Sequence, residues 1–274
     1  MVISDLDGTL LGSDGKISEK NLWYLDQLGQ SHVTRVVATG RSLYSAKLVL
    51  SESTPIDYLI FSSGAGIVKW ANQELVSKTS LPADITGRVV EWLKQNQLDF
   101  MLHMPVPENH LFHYHSVQNE MENPDFFARM QRYAEFATPL REEAQMTSSQ
   151  FVIIQPQQPR ISVGEIRRVF PDLSVIRTTS PLDLASLWIE IFPRTVNKGL
   201  ASAWLIDRLG VDWDQTIAVG NDYNDIELLE WAHRSYVVAN APQKLQQTYE
   251  VVRPFDKDGF SQVAEKLLRC KLGY

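Results

Sequence analysis

The stretch Val2-Ile3-Ser4-Asp5-Leu6-Asp7-Gly8-Thr9 decides the fold. An apolar start runs directly into two carboxylates two residues apart. Buried parallel strands that end in polar groups at a sheet rim have this pattern. Two later runs repeat it: 36–38 leads into Thr39-Gly40-Arg41, and 217–219 leads into Gly220-Asn221-Asp222. Side by side in one parallel sheet, the three ends would line a single pocket at its carboxyl edge.

The chain around these runs has 274 residues, enough for one large domain or two modest ones. Over its first ~75 residues it alternates short apolar runs with amphipathic segments, the mark of βαβ units. Strands are predicted over 2–4, 33–38 and 58–61. One helix starts after Ser18 as its cap, with Leu22, Leu25 and Leu28 as an apolar stripe, and another covers 42–51. A short hairpin arm over 67–70 follows Gly64-Ala65-Gly66. Near Leu81-Pro82 the pattern changes. Helices over 85–93, 126–133 and 161–170 mix with strands over 100–104, 111–115, 151–155, 174–178 and 187–192. This fits antiparallel strands with helices on one face. The parallel pattern then returns. Helices are predicted over 198–209 (stopped by Gly210), 222–231, 242–249 and 260–270, with strands over 216–219, 235–238 and 251–252. The predicted class is α/β: a doubly wound parallel-sheet core, 1–81 and 186–274, interrupted by an α+β cap domain, 82–185.

Composition narrows the function. A hydrophobic share of 44% excludes a disordered or collagen-like chain. The formal charge of −7 carries no basic footprint, so no nucleic-acid partner is expected. No run approaches the ~18 apolar residues of a membrane span. The single cysteine, Cys270, has no internal disulfide partner and fits a reducing compartment. The first motif begins at residue 5, too early for a removable leader, which points to a cytoplasmic protein.

Four groups carry chemistry. Asp5 and Asp7 share a side if the strand continues, and Gly8 permits a sharp departure that aims both inward. Two close carboxylates repel, so a hard divalent cation or a shared proton must offset the repulsion, unless the pair is only a solvated turn. Thr39-Gly40-Arg41 offers a hydroxyl and backbone N–H groups suited to phosphate, or is an ordinary turn. Lys198, after Pro193-Arg194-Thr195-Val196-Asn197, sits at a helix start, the wrong end for a cation unless an anion partners it. In Gly220-Asn221-Asp222-Tyr223-Asn224-Asp225 two acids three apart share one helix face, as caps or as partners of a metal and its neighbours. Together these imply phosphoryl transfer: one carboxylate attacks phosphorus, a cation and a lysine neutralise charge, and a second carboxylate moves the proton.

Asp5-Leu6-Asp7-Gly8-Thr9 resembles the DxDGT signature of the haloacid dehalogenase-like (HAD) hydrolases. Thr39, Lys198 and the run 220–225 match the three further motifs in order, so the resemblance covers essentially the whole chain. The insert lies between the second and third motifs, as in the Cof-type branch with a C2-type cap, which includes sugar-phosphate phosphatases. The resemblance implies that Asp5 is the nucleophile and forms an aspartyl phosphate. Asp7 would be the general acid/base and give magnesium its backbone carbonyl. Thr39, Lys198 and Asn221 would hold the phosphoryl group, and Asp5, Asp7 and Asp222 the Mg2+. Asp225 would support Lys198 or the metal water, Asn240 a phosphate contact, and Arg41 the substrate. Gly8 provides backbone clearance. Where Cof-type chains often carry Asn-Gly-Ala after the third strand, this one has Ser62-Ser63-Gly64-Ala65, so Ser63 would supply a shorter hydrogen-bonding arm.

The insert would choose the substrate. It holds His103, His110, His113 and His115, of which His113 and His115 alternate on one strand face and are candidate contacts to a sugar hydroxyl. Their spacing forms no closed zinc pattern. Glu190 has two readings, a surface salt bridge and a contact at the edge of the insert. The expected function is a Mg2+-dependent phosphomonoester hydrolase acting on a small phosphorylated metabolite, a sugar phosphate. The rivals are a phosphomutase of the same superfamily and a non-catalytic regulatory or binding protein. A dinucleotide-binding oxidoreductase is disfavoured, because no GxGxxG follows the first strand.

Overall fold

The computed structural model describes residues 1–141, 146–156, 158–179 and 186–272. The chain opens with β1 (Val2–Asp5), α1 (Glu19–Gln30), β2 (Arg35–Ala38), α2 (Leu43–Lys47), β3 (Tyr58–Phe61), β4 (Gly66–Lys69) and β5 (Glu74–Lys78). There follow α3 (Ala83–Gln95), β6 (Phe100–His103), β7 (Phe112–His115), α4 (Pro124–Arg132), β8 (Ala137–Pro139), β9 (Gln150–Gln155), α5 (Val163–Val169), β10 (Leu173–Thr179) and β11 (Leu187–Pro193). It ends with α6 (Lys198–Leu209), β12 (Ile217–Gly220), α7 (Ile226–Trp231), β13 (Arg234–Val238), α8 (Gln243–Gln246), β14 (Glu250–Val252) and α9 (Gly259–Leu272). Two compact units result. One is Met1–Arg41, Ser45–Ser77 and the chain from Asn197 onward; the other is Ser42–Tyr44 and Lys78–Val196.

The first unit holds a sheet in the order β14-β13-β12-β1-β2-β3-β4-β5. The pairs from β14 through β3 are all parallel, and β4 returns antiparallel against β3. β1 is buried along its whole length, as its apolar run requires. It lies between β2 and β12, where the strand order reverses, so the ends of β2, β1 and β12 meet at a topological switch point. Helices cover both faces. α6, α7 and α8 send Ala201, Leu205, Leu228, Leu229 and Leu245 onto Ile3, Val36, Ala218 and Val237, while α1 packs with α9. α1 begins where Ser18 Oγ accepts from the Asn21 amide at 3.1 Å. α6 begins where Asn197 Oδ1 accepts from the Leu200 amide at 2.8 Å, and it stops at Gly210 in the left-handed region.

The second unit holds a sheet in the order β10-β11-β9-β6-β7-β8, antiparallel except for the parallel pair β7–β8. One face carries Phe100, Leu102, Phe151, Ile153, Ile189 and Ile191 against Val89 and Leu93 of α3 and Ile166 of α5. The other carries Met101, Val152, Ile154 and Trp188 against Phe126 of α4. The expected one-sided helix layer is therefore corrected. Alternation along each strand makes both faces apolar, and each needs a cover.

Several boundaries also differ from expectation. β11 belongs to the second sheet, and the first unit resumes at Asn197 rather than at 186. The expected 185/186 boundary borders residues 180–185, which lie outside the described residues. α2 is shorter than the predicted 42–51, since Ser51, Ser53 and Thr54 bond one another beyond its end. α8 is a single turn in place of 242–249. The Gln246 side chain donates to the carbonyls of Ala239 and Ala241 beside it. The helix expected from 222 begins as a 3-10 turn over 223–225 capped by Asp222. β5 and β8 were not anticipated, being short and half polar. Among the described residues no helix is long and apolar enough to cross a membrane.

Candidate active site

Because β2, β1, β12 and β13 are parallel neighbours, the residues after each strand lie at one sheet edge. That edge receives Asp5 from β1, Thr39 after β2, Asn221 and Asp222 after β12, and Asn240 after β13. Three linked groups result.

The first centres on Lys198. Its ammonium is fully buried at the start of α6 and donates to Asp5 Oδ1 at 2.7 Å and Asp225 Oδ1 at 2.6 Å. Burial opposes its charge, yet the carboxylates of Asp225 and Asp5 hold it above the usual lysine range. Asp225 is buried as well. Its Oδ2 accepts from the amides of Asn221 at 2.8 Å and Asp222 at 3.2 Å, so one carboxylate ties the loop after β12 to Lys198. Asp5 is only 4% exposed. Burial and the charge of Asp225 push its carboxyl up to about 7, against the opposing pull of Lys198. Two carboxylates share one ammonium, and Asp5 Oδ2 is buried with no hydrogen-bond partner.

The second group is built on Asp7, whose side chain is 49% exposed. Arg41 grips it in a fork, with Nε at 3.0 and 2.9 Å from the two oxygens and Nη2 at 2.6 Å. Arg41, expected to face substrate, thus lies against Asp7. The Arg41 amide donates to Thr39 Oγ1 at 3.1 Å, and the Ser63 amide donates to the buried Thr39 carbonyl at 2.9 Å. Ser63 is fully buried with a φ of 54°. The next residue, Gly64, has a φ of 108°, and a Cβ there would sit 2.7 Å from the Asn197 carbonyl oxygen. The loop after β3 therefore approaches the start of α6 as only glycine allows.

The third group surrounds Gly8, whose φ is 73°. A Cβ at Gly8 would lie 2.5 Å from Asn221 Nδ2, which places the Asn221 side chain over this turn. Asn240 Nδ2 donates to the Gly8 carbonyl at 2.9 Å, and Asn240 Oδ1 accepts from the Phe255 amide at 3.1 Å. Asn240 thus braces the turn.

Asp222 caps its own turn, with Oδ1 accepting from the Tyr223 amide at 2.8 Å. Among the described residues no three His, Cys, Asp or Glu side chains are grouped to hold a metal ion. The set expected for magnesium has only two side-chain carboxylates, Asp5 and Asp222, plus the Asp7 main-chain carbonyl. The bare buried oxygen of Asp5, with its uncompensated charge, fits such a cation.

In the second unit His113 and His115 do share a face, since they stand opposite Leu102 and Phe100. It is the face packed against α3 and α5. His113 Nδ1 lies 2.7 Å from Thr138 Oγ1, and the His115 ring centroid lies 5.3 Å from that of Phe100. Partial burial lowers both imidazoles, helped by Arg141 and Lys94 respectively. The opposite face holds polar groups that strand spacing alone did not single out: His103, Gln150 and, from α4, Arg129.

A family model for the haloacid dehalogenase-like hydrolases matches residues 2–263. The chain belongs to this family. Similar proteins include an HMP-PP phosphatase of Serratia proteamaculans, 26% identical over 251 residues, covering 88% of this chain and 84% of the relative. A putative phosphatase of Haemophilus influenzae is 25% identical over 267 residues, covering 97% of each. Among solved structures, a HAD-superfamily phosphatase from Bacteroides thetaiotaomicron shares the fold with a TM-score of 0.77 at 20% identity, covering 97% of this chain and 93% of that one. A sugar phosphatase of HAD subclass IIB has a TM-score of 0.74 at 18% identity, covering 97% and 98%.

Proposed function

We propose that this HAD hydrolase is a Mg2+-dependent phosphomonoester hydrolase of the Cof-type branch, with the second unit as a C2-type cap. It acts through an aspartyl phosphate on a small metabolite, a sugar phosphate. The observation that carries this is the buried Asp5–Lys198–Asp225 chain at the carboxyl edge of the central strand, with one Asp5 oxygen bare. The phosphatase names of the two similar proteins support it. The lone cysteine supports a cytoplasmic setting.

Asp5 attacks phosphorus with its bare oxygen. The ester P–O bond breaks, and Asp7, which must leave the Arg41 fork and carry a proton for this step, gives that proton to the leaving oxygen. Lys198, Thr39 and Asn221 hold the phosphoryl oxygens, and Arg41 steadies the Asp7 carboxylate. Asp7 then takes a proton from water, which attacks phosphorus, breaks the P–O bond to Asp5 and releases phosphate. Asp225 acts through Lys198 and the Asn221 amide as a positioning residue, and Ser63 and Asn240 brace the loops. Asp5, Asp222 and the Asp7 carbonyl would hold Mg2+, which would supply positive charge against the phosphoryl group and against Asp5.

The test is phosphate release from hexose phosphates, nucleotides, phosphoglycerate and HMP-PP, with Mg2+ or with chelator, using Asp5→Asn as the blank. Metal-dependent release, absent in the variant, is expected. Release from no ester, or equal release by Asp5→Asn, refutes the proposal.

A further inference from the structure

The first unit has a cavity of about 340 Å3 at the edge of its sheet away from Asp5 and Lys198. Its strand side is made by Ile217, Arg234 and Glu250, the first residues of β12, β13 and β14, together with Tyr236. Ile217 stands in register with Arg234, and Tyr236 with Glu250, so all four side chains share one face of the sheet. Helix α9 packs on that face and closes the other side with Val263, Lys266, Leu267 and Arg269. These lie three and four residues apart, hence along one side of the helix.

The cavity has an apolar floor and a cationic rim. Ile217, Tyr236 and Val263 are buried, and Leu267 is half-buried. Arg234, Lys266 and Arg269 are all exposed around this floor, on a chain whose formal charge is −7. Two of the three have partners. Lys266 donates to Glu250 and stands 5.4 Å from the Tyr236 ring centroid, and Arg269 Nη2 lies 2.6 Å from Glu265 Oε1. Among the described residues Arg234 has neither an ion pair nor a side-chain hydrogen bond, so one positive charge is left over here. A single exposed arginine is ordinary. Over an apolar hollow, with two further cations beside it, it provides what an acid group on an apolar body needs.

We propose that this cavity binds a small organic anion, one acidic group carried on an apolar body. The acid would lie against Arg234, with Lys266 and Arg269 adding charge, and the body would cover Ile217, Val263 and Leu267. A cationic ligand would meet three like charges. A bare inorganic anion would leave the floor in water, and a neutral apolar one would leave Arg234 without a partner. The volume is at the small end of the range for ligand cavities, about 300–1,000 Å3, which suits a compact ligand. The site stands apart from the phosphatase reading: β12 and β13 start at this cavity and lead at their other ends to Asn221, Asp222 and Asn240. A ligand here therefore leaves the catalytic edge free.

The experiment is calorimetric titration of the protein in chelator with naphthalene-1-sulfonate, a permanent anion with no phosphoryl bond to cleave. 1-Naphthol, which lacks the charge, and methanesulfonate, which lacks the body, are titrated in parallel. The variants are Arg234→Glu and, as a control for net charge alone, Lys69→Glu, an exposed cation at the end of β4 and outside this cavity. One equivalent of naphthalene-1-sulfonate should bind wild type at least tenfold more tightly than either partial probe. Arg234→Glu should weaken it about tenfold or more, and Lys69→Glu should leave it unchanged. Circular dichroism checks folding, and if Arg234→Glu does not fold, Arg234→Gln decides, with a loss of about threefold or more expected. No binding to wild type, equal binding of either partial probe, an undiminished affinity in the folded Arg234 variant, or an equal loss in Lys69→Glu each overturns the site, whatever phosphate release shows.

Discussion

Replacing Asp5 by Asn should abolish turnover and yet stabilise the metal-free protein. Burial and Asp225 raise the Asp5 carboxyl from 3.8 to about 7 in the folded chain. A shift near three units corresponds to at most about 4 kcal/mol of destabilisation at a pH well above 7. The variant also loses the charged hydrogen bond from Lys198 at 2.7 Å, a loss of about 2 kcal/mol. Lys198 keeps Asp225, so no new buried charge is orphaned. The net gain at pH 8 is then about 2 kcal/mol, or a Tm raised by roughly 4–8 °C. The sign with pH follows from the direction of the shift. As pH falls from 8, the folded state binds a proton before the unfolded state does, so wild-type stability rises through 7 toward 4. Between pH 8 and pH 6 the variant's advantage should shrink by about 1 kcal/mol. The assay is thermal unfolding of both proteins in chelator at pH 8 and pH 6, repeated with excess Mg2+. Magnesium should raise the wild-type Tm at pH 8 and leave the variant nearly unmoved. A variant less stable than wild type at both pH values would refute this account of Asp5.

Two further substitutions test the frame of the site and the second unit. Gly8→Ala should lower stability by about 2 kcal/mol and turnover more than tenfold, because alanine is strained at a φ of 73° and its Cβ would lie 2.5 Å from Asn221 Nδ2; urea unfolding together with steady-state kinetics reads both, and a fully active, equally stable variant refutes it. His103, pushed down to about 3 from 6.5, contributes stability that is present above 6.5 and is lost as pH falls toward 3. Arg129 and His110 both oppose its protonation. Wild type should lose up to about 3 kcal/mol more than His103→Asn between pH 7 and pH 4.5, read by urea unfolding at both values; equal losses refute the buried neutral imidazole.

The catalytic edge was legible because chemistry and topology coincide there. Each parallel strand ends in a polar run, and a parallel sheet brings such ends together whatever their separation in the chain. Lys198 reaches the same edge by another route, from the start of α6, and its ammonium lies 2.7 Å from Asp5 Oδ1. What could not be read was pairing between side chains. The fork of Arg41, a residue expected to face substrate, on Asp7 had no signal in the sequence. Nor did the bond from the Asn240 amide, expected at phosphate, to the Gly8 carbonyl. The second unit was harder still. Alternation puts His113 and His115 on one face, but which face a helix covers depends on where α3, α4 and α5 pack. Glu190 has two readings in the sequence, a surface salt bridge and a contact at the edge of the insert, and only the pairing of β11 with β9 and β10 places it in the second sheet.

The charges explain why a stable fold keeps an unstable carboxylate. Around Lys198 two buried carboxylates face one ammonium, while Asp7 and Arg41 balance each other, so one negative charge is left over even before Asp222 is counted. A fold selected for stability alone would drop it, and Asp5→Asn is the simplest way to do so. With the charge retained, the carboxyl near 7 is a poor nucleophile until positive charge arrives, and a phosphate dianion brings more negative charge to the same edge. A divalent cation held by Asp5 and Asp222 would answer both demands at once, ionising the nucleophile and offsetting the substrate. Substrate and cation should therefore bind with positive coupling, each raising the affinity of the other by the same factor.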